Sequence, residues 1–170
     1  MPIATINPTT GETVRTFAPL SDSELEAKLA LADSAFARHR RSSFADRVGK
    51  MLAAADIFER DQDRFAQLMT LEMGKPIQQA KAEAAKCATA CRYYAAHAER
   101  LLADEPIPDA DGRCFVRFDP LGVVLAVMPW NFPFWQVVRF VAPTLPVSVT
   151  AATRRSSMTR WTVPASMARF

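Results

Sequence analysis

Apolar residues recur along this chain with two different periods, and the change from one to the other divides it. From residue 21 to about 103 the spacing is helical. Ser21 and Glu24 form the S-x-x-E signature of a capped start, and Leu25, Leu29, Ala32 and Phe36 follow at intervals of three and four. A second helix is predicted from Ser43, turning Val48, Leu52, Ala55 and Phe58 inward. A third runs from about Asp61 to Met73 and stops at Gly74, with Pro76 suited to open the next. That fourth helix carries an apolar stripe of Ile77, Ala80, Ala84, Cys87, Cys91, Tyr94, Ala98 and Leu101.

Outside this block the period is that of strands. Thr5 to Val14 places β-prone residues on either side of N-P-T-T-G and reads as a small hairpin. After Asp104 a turn-rich connector leads to R-C-F-V-R-F, Arg113 to Phe118, which alternates like a strand with one exposed face. The run Val123 to Met128 is continuously apolar and fits a strand buried on both faces of a parallel sheet. Phe134 to Leu145 then reads as a helix whose end Pro143 limits, so that strand, loop and helix make half of a βαβ unit. The expected fold class is α/β, a helical layer followed by the start of a Rossmann-like parallel sheet.

The loop between that strand and helix, P-W-N-F-P, is unusual in composition. Asn131 stands between two prolines and among large aromatics, where an amide must find partners or lose free energy. Ligands of open parallel sheets collect at the carboxyl ends of strands, where this loop lies. Asn131 therefore has two readings of equal weight from spacing alone. Its NH2 group donates to a ligand oxygen, as in an oxyanion hole, or it caps the following helix.

Charge and cysteine content narrow the rest. The net charge of +3 comes from the last 25 residues, which hold Arg154, Arg155, Arg160 and Arg169 and no acid, leaving a net −1 over residues 1–145. The basic balance is thus a property of the tail and argues for no nucleic-acid groove. No apolar run reaches the length needed to cross a bilayer, and the N-terminus lacks the layout of a signal peptide, so no membrane partner and a cytoplasmic location are expected. Cys87 and Cys91 fall within the apolar stripe and His97 lies off their face, which favours core packing over a metal site; Cys114 sits in the connector strand.

Three segments together resemble the N-terminal portion of the aldehyde dehydrogenase superfamily. They are I-N-P-T-T-G-E (Ile6–Glu12), L-E-M-G-K-P (Leu71–Pro76) and P-L-G-V-V-L-A-V-M-P-W-N-F-P (Pro120–Pro133). R-Y-Y-A, the extended M-P-W-N-F-P-F-W-Q block and Arg139 are similar to the bacterial succinate-semialdehyde branch. The resemblance implies oxidation of an aldehyde through a thiohemiacetal on a cysteine, with hydride transfer to NADP or NAD. It implies that Asn131 donates to the oxyanion and that Met128, Pro129, Trp130 and Asn131 lie along the cofactor. It further implies that Arg139 grips the distal carboxylate of the substrate, for which a planar guanidinium is suited. Phe132 and Trp135 would line the aldehyde tunnel, although ordinary core aromatics are an equal account of them.

Residues 1–145 carry this resemblance, and residues 146–170 do not. The tail has no Asp, Glu, Lys, Leu or Gly and eight Ser/Thr, so a non-homologous, disordered and out-of-frame tail is expected there. The family's nucleophilic cysteine, general-base glutamate and glycine-rich loop fall downstream of the matching region. The chain alone is accordingly expected to be inactive. A homo-oligomer is implied by the family, whose subunits join through an added strand. The rival reading is a non-catalytic fragment that associates with full-length subunits.

Overall fold

The computed structural model describes residues 3–107, 115–146 and 150–154, the last of these as backbone only. The chain begins with an antiparallel hairpin of β1 (Ile3–Ile6) and β2 (Thr13–Phe17). The connecting turn is tied by the Gly11 amide, which donates to the Asn7 carbonyl at 2.8 Å, with Gly11 at φ 76°.

Helices α1 (Asp22–His39) and α2 (Phe44–Arg60) both start at complete capping boxes. Ser21 exchanges hydrogen bonds with Glu24, and Ser43 does the same with Asp46. The Ser43 contacts hold the Asp46 carboxyl below its usual range. Helix α3 (Gln62–Met73) ends on Gly74 in the left-handed region, φ 70° and ψ 20°, as a glycine C-cap does. Helix α4 (Ile77–Leu101) is the longest element and the spine of the molecule, packing against α2, α3 and the later α5.

The core lies where these helices meet. Met51, Ala55 and Phe58 of α2, Phe65 of α3, and Ala84, Cys87, Ala88 and Cys91 of α4 form one buried cluster. Ala66, Met69 and Ala80 form a second, and Phe134 packs against both. The rings of Phe58, Phe65 and Phe134 meet with centroids 4.9–5.9 Å apart. The small residues of α4 let its neighbours approach closely, and full burial of such side chains stabilises by roughly 25 cal/mol per Å² of apolar area.

Two expectations about inward faces are corrected. Helix α1 buries none of its residues: Leu25 and Leu29 are 42 % and 48 % exposed. It lies beside the later strands rather than in the α2–α4 bundle, so its stripe has little to pack on. On α2, Leu52 is exposed and Met51 takes the inward position.

A short antiparallel pair follows, β3 (Glu105–Pro106) with β4 (Phe115–Val116). The strand expected over Arg113–Phe118 is thus two described residues long, with Arg113 and Cys114 outside the described residues. Strand β5 (Val123–Val127) leads through the P-W-N-F-P loop into α5 (Trp135–Thr144) and then β6 (Thr150–Arg154), which pairs with β5 in parallel. The half βαβ unit read from the sequence is therefore complete.

Here the structure differs from the sequence reading twice. Residues 150–154 are a strand where a disordered tail is expected; residues 155–170 lie outside the described residues. Thr150 and Thr153 are β-branched, and the β5 backbone offers an edge that small and β-branched residues can join. Strand β5 itself is not buried on both faces: Ala126 is buried, whereas Leu125 and Val127 are 61 % and 56 % exposed. Among the described residues nothing covers that face. No helix among the described residues is long and apolar enough to cross a membrane.

Candidate functional site

The P-W-N-F-P loop leaves the carboxyl end of β5 and turns within a few residues into α5. Met128 is half-buried at the strand end, and Pro129 is exposed. Trp130 is 55 % and Phe132 43 % exposed, while Pro133 between Phe132 and Phe134 is buried. The buried proline fixes one φ angle, so the exposed residues beside it stand on a stiff base.

Asn131 is exposed, and it does not cap α5. Phe134 occupies the N-cap position, and α5 has no side-chain cap hydrogen bond of the local kind. Asn131 Oδ1 instead accepts from Gln136 Nε2 at 3.4 Å, and among the described residues Asn131 Nδ2 has no partner. The acceptor end of the amide is thereby engaged while the donor end faces outward.

Two residues that the sequence reading passed over hold this loop in place. Glu83, on α4, is 4 % exposed, and Lys75, just after Gly74, is 7 % exposed. Lys75 Nζ donates to Glu83 Oε2. Glu83 Oε1 accepts from the backbone N–H groups of Phe134 and Trp135 at 3.0 and 2.9 Å. The first turn of α5 thus takes its cap from a carboxylate on another helix, where the N-terminal partial charge also favours an anion. Lys75 Nζ further lies 4.0 Å from the centroid of the Phe132 ring.

The signal was available in the sequence. Glu83 falls three residues after Ala80 and four before Cys87, a lone acid within an apolar helical stripe. A charge in such a position demands a partner, and L-E-M-G-K-P supplies it, because left-handed Gly74 turns the chain so that Lys75 faces inward.

The remaining expected site residues lie on α5. Trp135 is half-buried beside the core, with Lys86 Nζ 3.9 Å from its ring centroid. Arg139 is exposed four residues further on, on the same side of the helix as Trp135, and makes no salt bridge among the described residues. The structure thus brings Asn131, Phe132 and the Lys75–Glu83 pair together and leaves Arg139 a helical turn beyond them.

The two described cysteines belong to the core. Burial pushes the Cys91 thiol up to about 11, and burial followed by the charge of Glu83 pushes the Cys87 thiol up as well. Among the described residues no group of His, Cys, Asp and Glu is arranged to hold a metal ion.

A dinucleotide fits this surface only in part. The loop and strand end offer an apolar wall of Met128, Pro129 and Trp130, but the chain has five glycines and no G-x-G turn to receive a pyrophosphate.

Comparison with known proteins places these features. The signature of the aldehyde dehydrogenase family matches residues 1–170, past Leu145, where the family texture is expected to stop. A succinate-semialdehyde dehydrogenase (NADP+) of Mycobacterium avium is 57 % identical over 149 residues, covering 85 % of this chain and 32 % of that protein. A probable enzyme of the same name from Synechocystis is 56 % identical over 145 residues, again 85 % of this chain and 32 % of the other. The crystal structure of a succinic semialdehyde dehydrogenase from Streptococcus pyogenes, in complex with NADP+, superposes with a TM-score of 0.87 at 32 % identity, over 92 % of this chain and 34 % of that one. The chain spans about a third of the length of these curated relatives and matches their N-terminal portion. With an N-terminal helical layer, a β5–α5–β6 unit and a loop of this composition, the chain belongs to the aldehyde dehydrogenase family.

Proposed function

We propose that this chain carries the oxyanion-binding portion of an NADP-dependent succinate-semialdehyde dehydrogenase. The observation that carries the reading is the state of Asn131: exposed at the carboxyl end of a parallel strand, its Oδ1 engaged by Gln136 and its Nδ2 without a partner among the described residues. When a nucleophile adds to an aldehyde carbonyl, negative charge gathers on the oxygen. A donor already aimed at that oxygen stabilises the transition state by about 3–4 kcal/mol. In this reading Met128, Pro129 and Trp130 lie along the dinucleotide, which accepts hydride when bound. Phe132 and Trp135 shape the substrate entry, and Arg139 receives the distal carboxylate. The names of the relatives support NADP over NAD and succinate semialdehyde over other aldehydes.

The chain alone is proposed to be inactive. An attacking thiolate requires a thiol that ionises near neutral pH, and burial holds Cys87 and Cys91 in the opposite state. Cys114 lies outside the described residues. Two measurements test the reading. The 170-residue chain given succinate semialdehyde and NADP+ is expected to form no NADPH. In a full-length enzyme carrying residues 1–145, Asn131→Ala is expected to lower kcat by roughly 10²–10³ with little change in KM. An unchanged kcat with a lowered melting temperature would assign Asn131 a structural role only.

A second reading, a non-catalytic fragment that joins a full-length subunit, is favoured by one feature: the apolar face of β5 at Leu125 and Val127, which no described residue covers. Mixing the chain with a full-length relative and measuring mass in solution separates a stable complex from a free chain.

A further inference from the structure

We propose that Glu83, held by Lys75, is a positioning residue for the Asn131 loop; this rests on the reading of Asn131 given above. Three contacts converge on residues 132–135. Glu83 Oε1 accepts from the N–H groups of Phe134 and Trp135, and Lys75 Nζ lies over the Phe132 ring. The anchored turn continues into Gln136, whose backbone N–H donates to the Phe132 carbonyl at 2.9 Å and whose side chain holds Asn131 Oδ1. A path of direct contacts therefore runs from α4 to the amide that faces the substrate.

Stability alone gives a poor account of the pair. Desolvating two charges often costs as much as their attraction returns, and well-packed apolar residues frequently do as well in the same volume. An apolar pair, however, would leave the two N–H groups at the start of α5 without an acceptor. What the carboxylate does, and a hydrophobic isostere cannot, is fix the direction in which α5 begins. That direction sets where Gln136 and Asn131 stand. Glu83 is on the longest and best-buried helix, so the loop takes its place from the core rather than from its own exposed residues.

Two double variants of the 170-residue chain test this by hydrogen exchange and NMR. Lys75→Met with Glu83→Gln removes both charges and keeps an acceptor oxygen. Lys75→Met with Glu83→Leu removes the acceptor too. Exchange at Phe134 and Trp135 is read relative to Val138, whose N–H donates to the Phe134 carbonyl inside the same helix. The Gln pair is expected to keep these ratios within about threefold, whereas the Leu pair raises them by about tenfold or more and shifts the Asn131 side-chain amide resonances. A role confined to general packing would move all three amides together. A Leu pair that leaves the ratios and the Asn131 resonances unchanged overturns the proposal.

Kinetics in the full-length enzyme separate this proposal from the reading beneath it. The Leu pair is expected to lower kcat with KM held, the Gln pair to restore it, and Asn131→Ala to abolish the difference between them. If Asn131→Ala lowers kcat and the Leu pair does not, positioning by Glu83 is wrong and the oxyanion role stands. If Asn131→Ala leaves kcat intact, the oxyanion role is wrong, and the exchange ratios alone decide whether Glu83 fixes the loop.

Discussion

Gly74 and Pro8 are in near contact: a Cβ placed on Gly74 would lie 3.1 Å from Cγ of the Pro8 ring. The N-terminal hairpin turn thus rests on the C-cap of α3, at the point where the chain reverses to bring Lys75 inward. Gly74 also has φ 70°, which a side chain resists. Gly74→Ala is expected to destabilise the chain by about 1–2 kcal/mol, from left-handed strain together with the tight approach. Gly49→Ala, inside α2 with open space around the new Cβ, is expected to act in the opposite direction by about 0.5–1 kcal/mol. Urea unfolding of the two variants checks both signs at once, and equal shifts would refute the argument.

Cys91 sets a pH dependence. Its thiol is pushed up to about 11 by burial, against about 8.5 for a free cysteine. Below the unfolded value both states are protonated, and the contribution is fully present. As pH rises past it, the unfolded chain loses a proton that the folded chain keeps, so stability falls until the folded value is passed. Between pH 7.5 and 10 the stability difference between the unmodified chain and Cys91→Ala is expected to narrow by on the order of 1–2 kcal/mol. A difference that stays constant would show that the site is more hydrated than its burial implies.

Arg139 tests the substrate. In a full-length enzyme carrying this segment, Arg139→Ala is expected to raise KM for succinate semialdehyde by about tenfold or more, through loss of a charge-assisted contact to the carboxylate. For an uncharged aldehyde of the same length, KM should hardly change. Equal effects on both substrates would remove Arg139 from the carboxylate site.

What could be read from sequence and what could not follows from the range of the forces concerned. The caps at Ser21 and Ser43 and the stop at Gly74 rest on contacts three or four residues apart, and each was legible. So were β5, α5 and the middle of the α4 stripe, from Ala80 to Ala98, whereas Ile77 and Leu101 at its ends are exposed. The facing of α1 was not legible: Leu25 and Leu29 have helical spacing, but spacing cannot tell which neighbour is present to receive them. Strand β6 was missed because its residues pattern weakly and pair through the backbone. Within the site, Asn131 stood out through its apolar setting. The burial of Glu83 shows in its place within the stripe, but its role at α5 does not, because its partners at positions 75, 134 and 135 are gathered from 8 to 52 residues away.

The carboxylate that caps α5 from α4 also bears on the order of assembly. Helices α2, α3 and α4 follow one another directly and contact one another, so their bundle can form early, from contacts near in sequence. At that stage Glu83 already has Lys75, while Oε1 still faces water. Docking of α5 closes a loop of more than fifty residues and buries that oxygen against two amides in one step. Substitutions at Glu83 are therefore expected to speed unfolding far more than they slow folding, a low φ-value at the residue on which the loop depends.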